Sequence, residues 1–103
     1  MTVKQYRATI TSPYPGVVHL TQAYIEGLGE GMMWANVRAT FKGGQPLYCQ
    51  PGKLSLGTDN YVDMIDHRIA ALSKSLTDKE LGESLIPLLL LSALEETFPC
   101  PSK

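Results

Sequence analysis

Two cysteines, two histidines and a few paired carboxylates are the side chains in this sequence whose types and spacing could do chemistry. Cys49 sits in Tyr48-Cys49-Gln50-Pro51 and Cys100 in Pro99-Cys100-Pro101. Neither has a Cys-x-x-Cys neighbour or histidines at ligand spacing, so the pair does not make a zinc site. As a nucleophile, Cys49 would need a histidine within hydrogen-bond reach and a residue to orient it. His19 and His67 are the only candidates, and neither lies in a recognisable signature. On the residues alone two readings stay open. The cysteines are a staple between a loop and the end of the last helix, or they are two unpaired buried thiols of the kind cytosolic proteins carry. A staple would close a loop of about fifty residues, worth roughly 4 kcal/mol of lost chain entropy in the unfolded state.

The remaining polar groups read mostly as solvated faces. Asp63 and His67 stand four apart, on one side of a helix, but lack a second pair of metal ligands. A solvent-facing ion pair that supports the helix is the expected role. His19, at a helix start, reads as half-buried. Glu26/Glu30 and Glu95/Glu96 read as exposed carboxylates, the first pair being like charges at helical spacing. The glycine run Gly27-Leu28-Gly29-Glu30-Gly31 lacks the Gly-Lys-Ser/Thr ending and the strand-turn-helix setting of a phosphate loop. Met32, Met33 and Trp34 read as core. No cofactor, no metal and no catalytic group is expected.

Positioning these residues falls to a single domain. The 103 residues carry a 44% hydrophobic and 18% charged composition, ordinary for a globular fold. The net charge of −1, with nine Lys and Arg scattered singly, lacks the basic stripe that nucleic-acid binding requires. The longest apolar stretch, from Leu85 to Leu94, contains Pro87 and is half the length of a membrane span, so membrane insertion is not expected. The first ten residues have no apolar core and form no signal peptide. The chain is therefore expected either to stay in the cytoplasm or to have lost a signal upstream.

Along the chain, residues 1–16 mix β-formers with Pro13 and Pro15, which predicts an extended N-terminal arm. From Val17, the recurrence of Leu20, Tyr24, Leu28, Met32 and Ala35, prolonged by Val37 and Phe41, predicts a helix ending near Lys42 before Gly43-Gly44. The glycines could break it into two. Read as one helix, Gly27 and Gly31 share a face and would let another helix approach closely. Residues 45–57 form an irregular connection. Thr58 is placed as the cap of a second helix, carrying Val62, Ile65, Ile69 and Leu72 at helical spacing. Thr77-Asp78-Lys79-Glu80 has capping-box spacing and predicts a short turn of helix. Ser84 is placed as the cap of a third major helix, with Pro87 in its first turn and an apolar surface nearly all round, ending near Phe98. The expected fold is all-α: a compact bundle of three to four helices over residues 17–101, with an arm at 1–16 and a tail at 102–103.

Several of these pieces together resemble one family. Tyr24-Ile25-Glu26-Gly27 with Gly31 soon after, Tyr48-Cys49-Gln50-Pro51, a helix over Thr58–Leu72, and the ending Ala93-Leu94-Glu95-Glu96-Thr97-Phe98-Pro99-Cys100-Pro101 are similar to the Rap/Tai-type immunity proteins of bacterial type VI secretion. The resemblance spans about residues 17–101. It implies a small periplasmic helical protein that binds and blocks a secreted cell-wall amidase, protecting the producing cell and its kin. It also implies a disulfide, because the family's two matched cysteines fall on Cys49 and Cys100. Thr21 stands where the family often has a further cysteine, so a second staple is not expected.

An inhibitor of this kind needs no catalytic residue, only a rigid scaffold and a polar segment able to enter an enzyme cleft. The segment 73–83 between the second and third major helices is the candidate, with Lys74, Asp78, Lys79 and Glu80 as the contact residues. The glycine face of the first long helix, with exposed Met or Trp side chains, could serve a homodimer. The reading from another class is a small periplasmic stress chaperone, which also pairs a helical fold with one disulfide.

Overall fold

The computed structural model describes residues 1–101. Among them run five helices: α1 (Val3–Ile10), α2 (Pro15–Phe41), α3 (Thr58–Leu72), α4 (Asp78–Glu83) and α5 (Ile86–Thr97). Among the described residues no helix is long and apolar enough to cross a membrane. The all-α expectation holds, with one more helix than the upper count.

The extra helix, Val3–Ile10, replaces half of the arm expected to be extended over residues 1–16. Thr2 and Gln5 form a reciprocal capping box, Gln5 N–H donating to Thr2 Oγ1 at 3.2 Å and Thr2 N–H to Gln5 Oε1 at 2.8 Å. Val3 and Tyr6, one turn apart, both enter the core. Pro13 and Pro15 act only afterwards: they separate α1 from α2, and Pro15 opens α2, where a missing N–H costs nothing. The start of the chain is also tied to the α4–α5 junction by two backbone bonds, Val3 N–H to Ser84 O (2.8 Å) and Ile86 N–H to Met1 O (2.9 Å).

The long helix α2 is unbroken through its three glycines. It ends where Gly43 takes a positive φ of 86°, a conformation that suits glycine. Gly44 N–H then donates to Ala39 O (2.9 Å) and Gly43 N–H to Thr40 O (3.0 Å), the paired bonds of a Schellman stop. Its buried side is Thr21, Ile25 and Gly29. The stripe expected from sequence is rotated away from it: Tyr24, Leu28 and Met32 are half-buried, while Leu20 and Phe41 are exposed.

The close approach expected at Gly27 and Gly31 occurs instead at Gly29. A Cβ on Gly29 would overlap the ring of Tyr61 on α3, whereas one on Gly27 or Gly31 would meet only open space. Gly29 lies on the α3 side of the helix; Gly27 and Gly31 lie across it, on the solvent side.

Two predicted caps also move. Thr58 is the first helical residue of α3, and Gly57 is the cap, its N–H satisfied by Asn60 Oδ1 at 2.9 Å. Ser84 closes α4 rather than opening α5, its hydroxyl donating to Glu80 O at 2.9 Å. Leu85 precedes α5, with Pro87 in the first turn.

The core gathers Ile86, Leu89, Leu90 and Leu94 of α5, Tyr61, Ile65 and Ile69 of α3, Ile25 of α2, Val3 and Tyr6 of α1, Leu81 of α4, and Tyr48 from the 43–57 loop. Helix α3 packs on α5 and α2, and α1 on α2 and α4. The last helix is buried on one side only, since Leu88 on its other side is 63% exposed. An apolar helix can therefore read as enclosed in sequence and still form part of the surface.

Candidate functional site

The 43–57 loop is anchored at three points. Cys49 and Cys100 form a disulfide with Cα atoms 4.9 Å apart and a sequence separation of 51. Beside it, Cys49 N–H donates to Phe98 O at 2.8 Å. From the other side, Asn36 on α2 grips the loop with both ends of its amide: Nδ2 donates to Tyr48 O (2.8 Å) and Oδ1 accepts from Leu47 N–H (2.7 Å). Tyr48, between these anchors, is 2% exposed. Its hydroxyl is held above the ordinary tyrosine value by burial, with neighbouring Tyr61 adding to the effect. With its sulfur bonded to Cys100, Cys49 is not a thiolate nucleophile in this state.

The second half of α2 and this loop enclose an open apolar groove of about 580 Å³, with Met33, Val37, Phe41, Tyr48 and Leu54 among its walls. It continues into a second depression of about 420 Å³ near Glu30, Trp34, Lys53 and Tyr61. Here the large side chains expected in the core turn outward: Trp34 is 59% and Phe41 84% exposed. Burial, and then the charges of Glu30 and Glu26, hold the Tyr61 hydroxyl above its ordinary value. The glutamates therefore face the rim of the groove and have no ion-pair partner among the described residues.

A third depression, about 480 Å³, lies between α3 and α5 and contains Asp63, His67, Arg68 and Glu96. The expected Asp63–His67 ion pair does not form. His67 Nδ1 lies 2.8 Å from the backbone carbonyl of Asp63. A carbonyl only accepts, so Nδ1 carries the proton and the ring serves the helix backbone. Glu96, expected to be solvated, is paired with Arg68 at 3.1 Å. His19, expected half-buried, is exposed. No group of three metal-binding side chains gathers among the described residues.

The segment 73–83 is a braced corner between α3 and α5, not a free loop. Thr77 and Glu80 form the capping box that their spacing predicts: Glu80 N–H donates to Thr77 Oγ1 (3.1 Å), and Thr77 N–H donates to Glu80 Oε1 (2.9 Å). The Thr77 backbone bond, then its side chain, holds the Glu80 carboxyl below the usual range. Leu81 is buried and Leu76 packs against the core. Lys74, Asp78 and Lys79 remain exposed, with no ion pair among the described residues. All four residues assigned to partner contact face solvent, and Glu80 is in addition bonded to Thr77 within the segment.

Sequence reasoning missed Asn36 and the outward apolar row of α2. Asn36 had no signal beyond a polar residue on the apolar side of a helix. The row was visible, since Trp34 and Phe41 stand seven apart like the residues of a second stripe. No protein-family model matches this chain, and neither a curated protein nor a solved structure matches it.

Proposed function

We propose that this protein is a non-enzymatic immunity protein of the Rap/Tai type, which binds a secreted peptidoglycan amidase in the periplasm and blocks its cleft. The observation that carries the reading is the α3–α4 corner. A capping box, buried Leu81 and half-buried Leu76 stiffen it, and it offers Lys74, Asp78 and Lys79 to solvent. An inhibitor gains affinity when its contact segment is already ordered, because the ordering entropy is not lost on binding. The disulfide supports the compartment, since such bonds persist where the surroundings are oxidising. The Rap/Tai resemblance supplies the class of partner.

The test is to titrate the oxidised protein against purified type VI amidases and follow peptidoglycan hydrolysis. Stoichiometric loss of hydrolysis is expected with the cognate enzyme. Charge reversal at the corner (Lys74→Glu, Asp78→Lys, Lys79→Glu, singly) is expected to weaken inhibition by roughly 30-fold at the dominant position, the scale of a hot-spot residue. If no amidase is bound, and export to the periplasm protects no cell from one, the immunity reading is lost. If an amidase is inhibited but all three reversals are silent, the corner is lost as the contact surface.

A further inference from the structure

The depression of about 420 Å³ beside Trp34 collects hydrogen-bond acceptors that the fold itself leaves unused. Tyr61 is 4% exposed, and its ring fills the space beside Gly29 on α2. The Cζ atom, which carries the hydroxyl, is among the ring atoms nearest Gly29, so the polar end of the ring lies against α2. The Tyr6 hydroxyl has Asp66 as its partner, but the Tyr61 hydroxyl has none among the described residues. Native structures leave few buried polar groups in that state.

Glu26 and Glu30, one turn apart on α2 and both exposed, line the same depression as Tyr61. After burial, it is the charges of Glu30 and then Glu26 that raise the Tyr61 hydroxyl, so both carboxylates stand near it. Gln50, on the edge shared with the larger groove, has its Oε1 buried and unpartnered, while its Nε2 donates to Leu54 O at 2.8 Å. All of these groups can accept a hydrogen bond, and the carboxylates can only accept. Lys53 is the one cation lining the depression among the described residues, and it forms no ion pair with either glutamate. Two acids against one base leave the hollow negative.

What would complete it is a cation rich in donors. A guanidinium suits it better than an ammonium, being flat, carrying five N–H groups and stacking on aromatic faces. Trp34, 59% exposed on the same wall, offers such a face. The neighbouring 580 Å³ groove decides what carries the guanidinium. That groove is apolar and shares Met33, Gln50, Gly52 and Leu54 with the depression, so one extended chain can fill both. The loop that walls them is fixed by the disulfide and by Asn36, so the surface is ordered before anything binds.

We propose that the depression between α2 and the 43–57 loop binds an arginine side chain of a partner protein, with an adjacent apolar residue of that partner in the groove beside Phe41. The guanidinium lies against Trp34, among Glu26, Glu30 and the Tyr61 hydroxyl. No residue of 73–83 lines either hollow, so this contact is separate from the α3–α4 corner and does not rest on the immunity reading.

The probe is the capped tripeptide acetyl-Phe-Arg-Phe-amide, in which either neighbour of the arginine can reach the groove. It is titrated into the oxidised protein and followed by the emission of Trp34, the only tryptophan. Saturable binding is expected with a dissociation constant of about 1 mM or below, the weak end of specific association. Citrulline in place of arginine keeps the shape but not the charge, and should weaken binding roughly tenfold. Glu26→Gln and Glu30→Gln should each weaken it about threefold, the scale of one exposed ion pair. Tyr61→Phe has no internal bond to lose, so it should fold as the wild type by circular dichroism and still bind less well. Lys53→Ala should strengthen binding by removing the competing cation. Acetyl-arginine-amide should bind more weakly than the tripeptide, and equal binding overturns the assignment to a protein segment. The inference also fails if the arginine peptide does not bind at about 10 mM, if the citrulline peptide binds equally, or if both glutamate variants behave as wild type. The amidase titration is a separate measurement, so either proposal can fail without the other.

Discussion

The Tyr6 hydroxyl donates a 2.8 Å hydrogen bond to Asp66 Oδ1, joining a helix at the start of the chain to the middle of α3 across 60 residues of sequence. The two partners differ in setting. Tyr6 is 1% exposed, whereas Asp66 faces solvent. Deleting the hydroxyl lets the carboxylate rehydrate, while deleting the carboxylate strands a buried phenol. Tyr6→Phe should therefore cost about 1 kcal/mol and Asp66→Ala more, up to about 3 kcal/mol. Urea unfolding checks this: both midpoints should fall at unchanged slope, Asp66→Ala further.

Alkaline pH should unfold the protein from within. Burial is the first cause raising Tyr6, Tyr48 and Tyr61 above the ordinary value of 10.0, joined at Tyr6 by the bond to Asp66 and the nearby carboxylates. A group whose value is raised on folding contributes stability that is complete below its unfolded value and is lost above it. Stability measured by urea at stepped pH should thus be level up to about pH 10 and then fall. Tyr6→Phe should flatten part of that fall. A curve level through the alkaline range would contradict the burial of all three hydroxyls.

Removing the disulfide should cost roughly 4 kcal/mol, the loop-closure entropy for a ring of this size. The folded state retains a second hold on the loop through Asn36, which bonds Leu47 and Tyr48. Cys49→Ser with Cys100→Ser should accordingly give a less stable but still helical protein, by circular dichroism and urea unfolding. Adding Asn36→Ala should cost more in that background than in the oxidised protein, because the two anchors hold the same segment.

The three glycines of α2 should part company on replacement by alanine. Gly29→Ala drives a methyl group into the Tyr61 ring and should destabilise by about 1–3 kcal/mol. At Gly27 and Gly31 nothing obstructs a methyl group, and helix propensity should stabilise the monomer by up to about 1 kcal/mol each. Thermal unfolding of dilute samples measures all three. Destabilisation by Gly27→Ala or Gly31→Ala, with Gly29→Ala neutral, would return the close contact to the other face.

At the α3–α4 corner, Thr77→Ala should cost about 1 kcal/mol through loss of the cap. The partner carboxyl of Glu80 lies below its usual range, so its contribution is present above that range and fades as acid protonates it. If the corner is the inhibitory surface, Thr77→Ala should also weaken amidase binding, because the cap holds the segment in shape. Unchanged binding would show that the stiffness of the corner is not used.

Elements carried by local rules could be read from the chain alone. The Gly43-Gly44 stop, the Thr77–Glu80 box, the α3 stripe of Ile65 and Ile69 and the apolar character of α5 each depend on residues within a turn or two of one another. The α1 box of Thr2 and Gln5 was equally local. It was obscured by Pro13 and Pro15, whose influence reaches only the residue before each of them. The candidate site was less legible: of Lys74, Asp78, Lys79 and Glu80, spacing identified the Glu80 cap but gave no means of choosing between cap and contact.

By itself, the sequence determined an all-helical chain, where its long helices run, and two cysteines able to meet. Which side of each helix is inside was decided by tertiary structure. Tyr61 and Gly29 are 32 positions apart by number, and nothing near either one fixes their meeting. Once that contact forms, α2 is rotated so that Thr21, Ile25 and Gly29 face in, and Trp34 and Phe41 face out. An amphipathic pattern gives a helix a preferred face only when one stripe is clearly more apolar than the others, and α2 has apolar residues on nearly every side. Packing against α3 had to choose among them, and it left Trp34 and Phe41 on the outside.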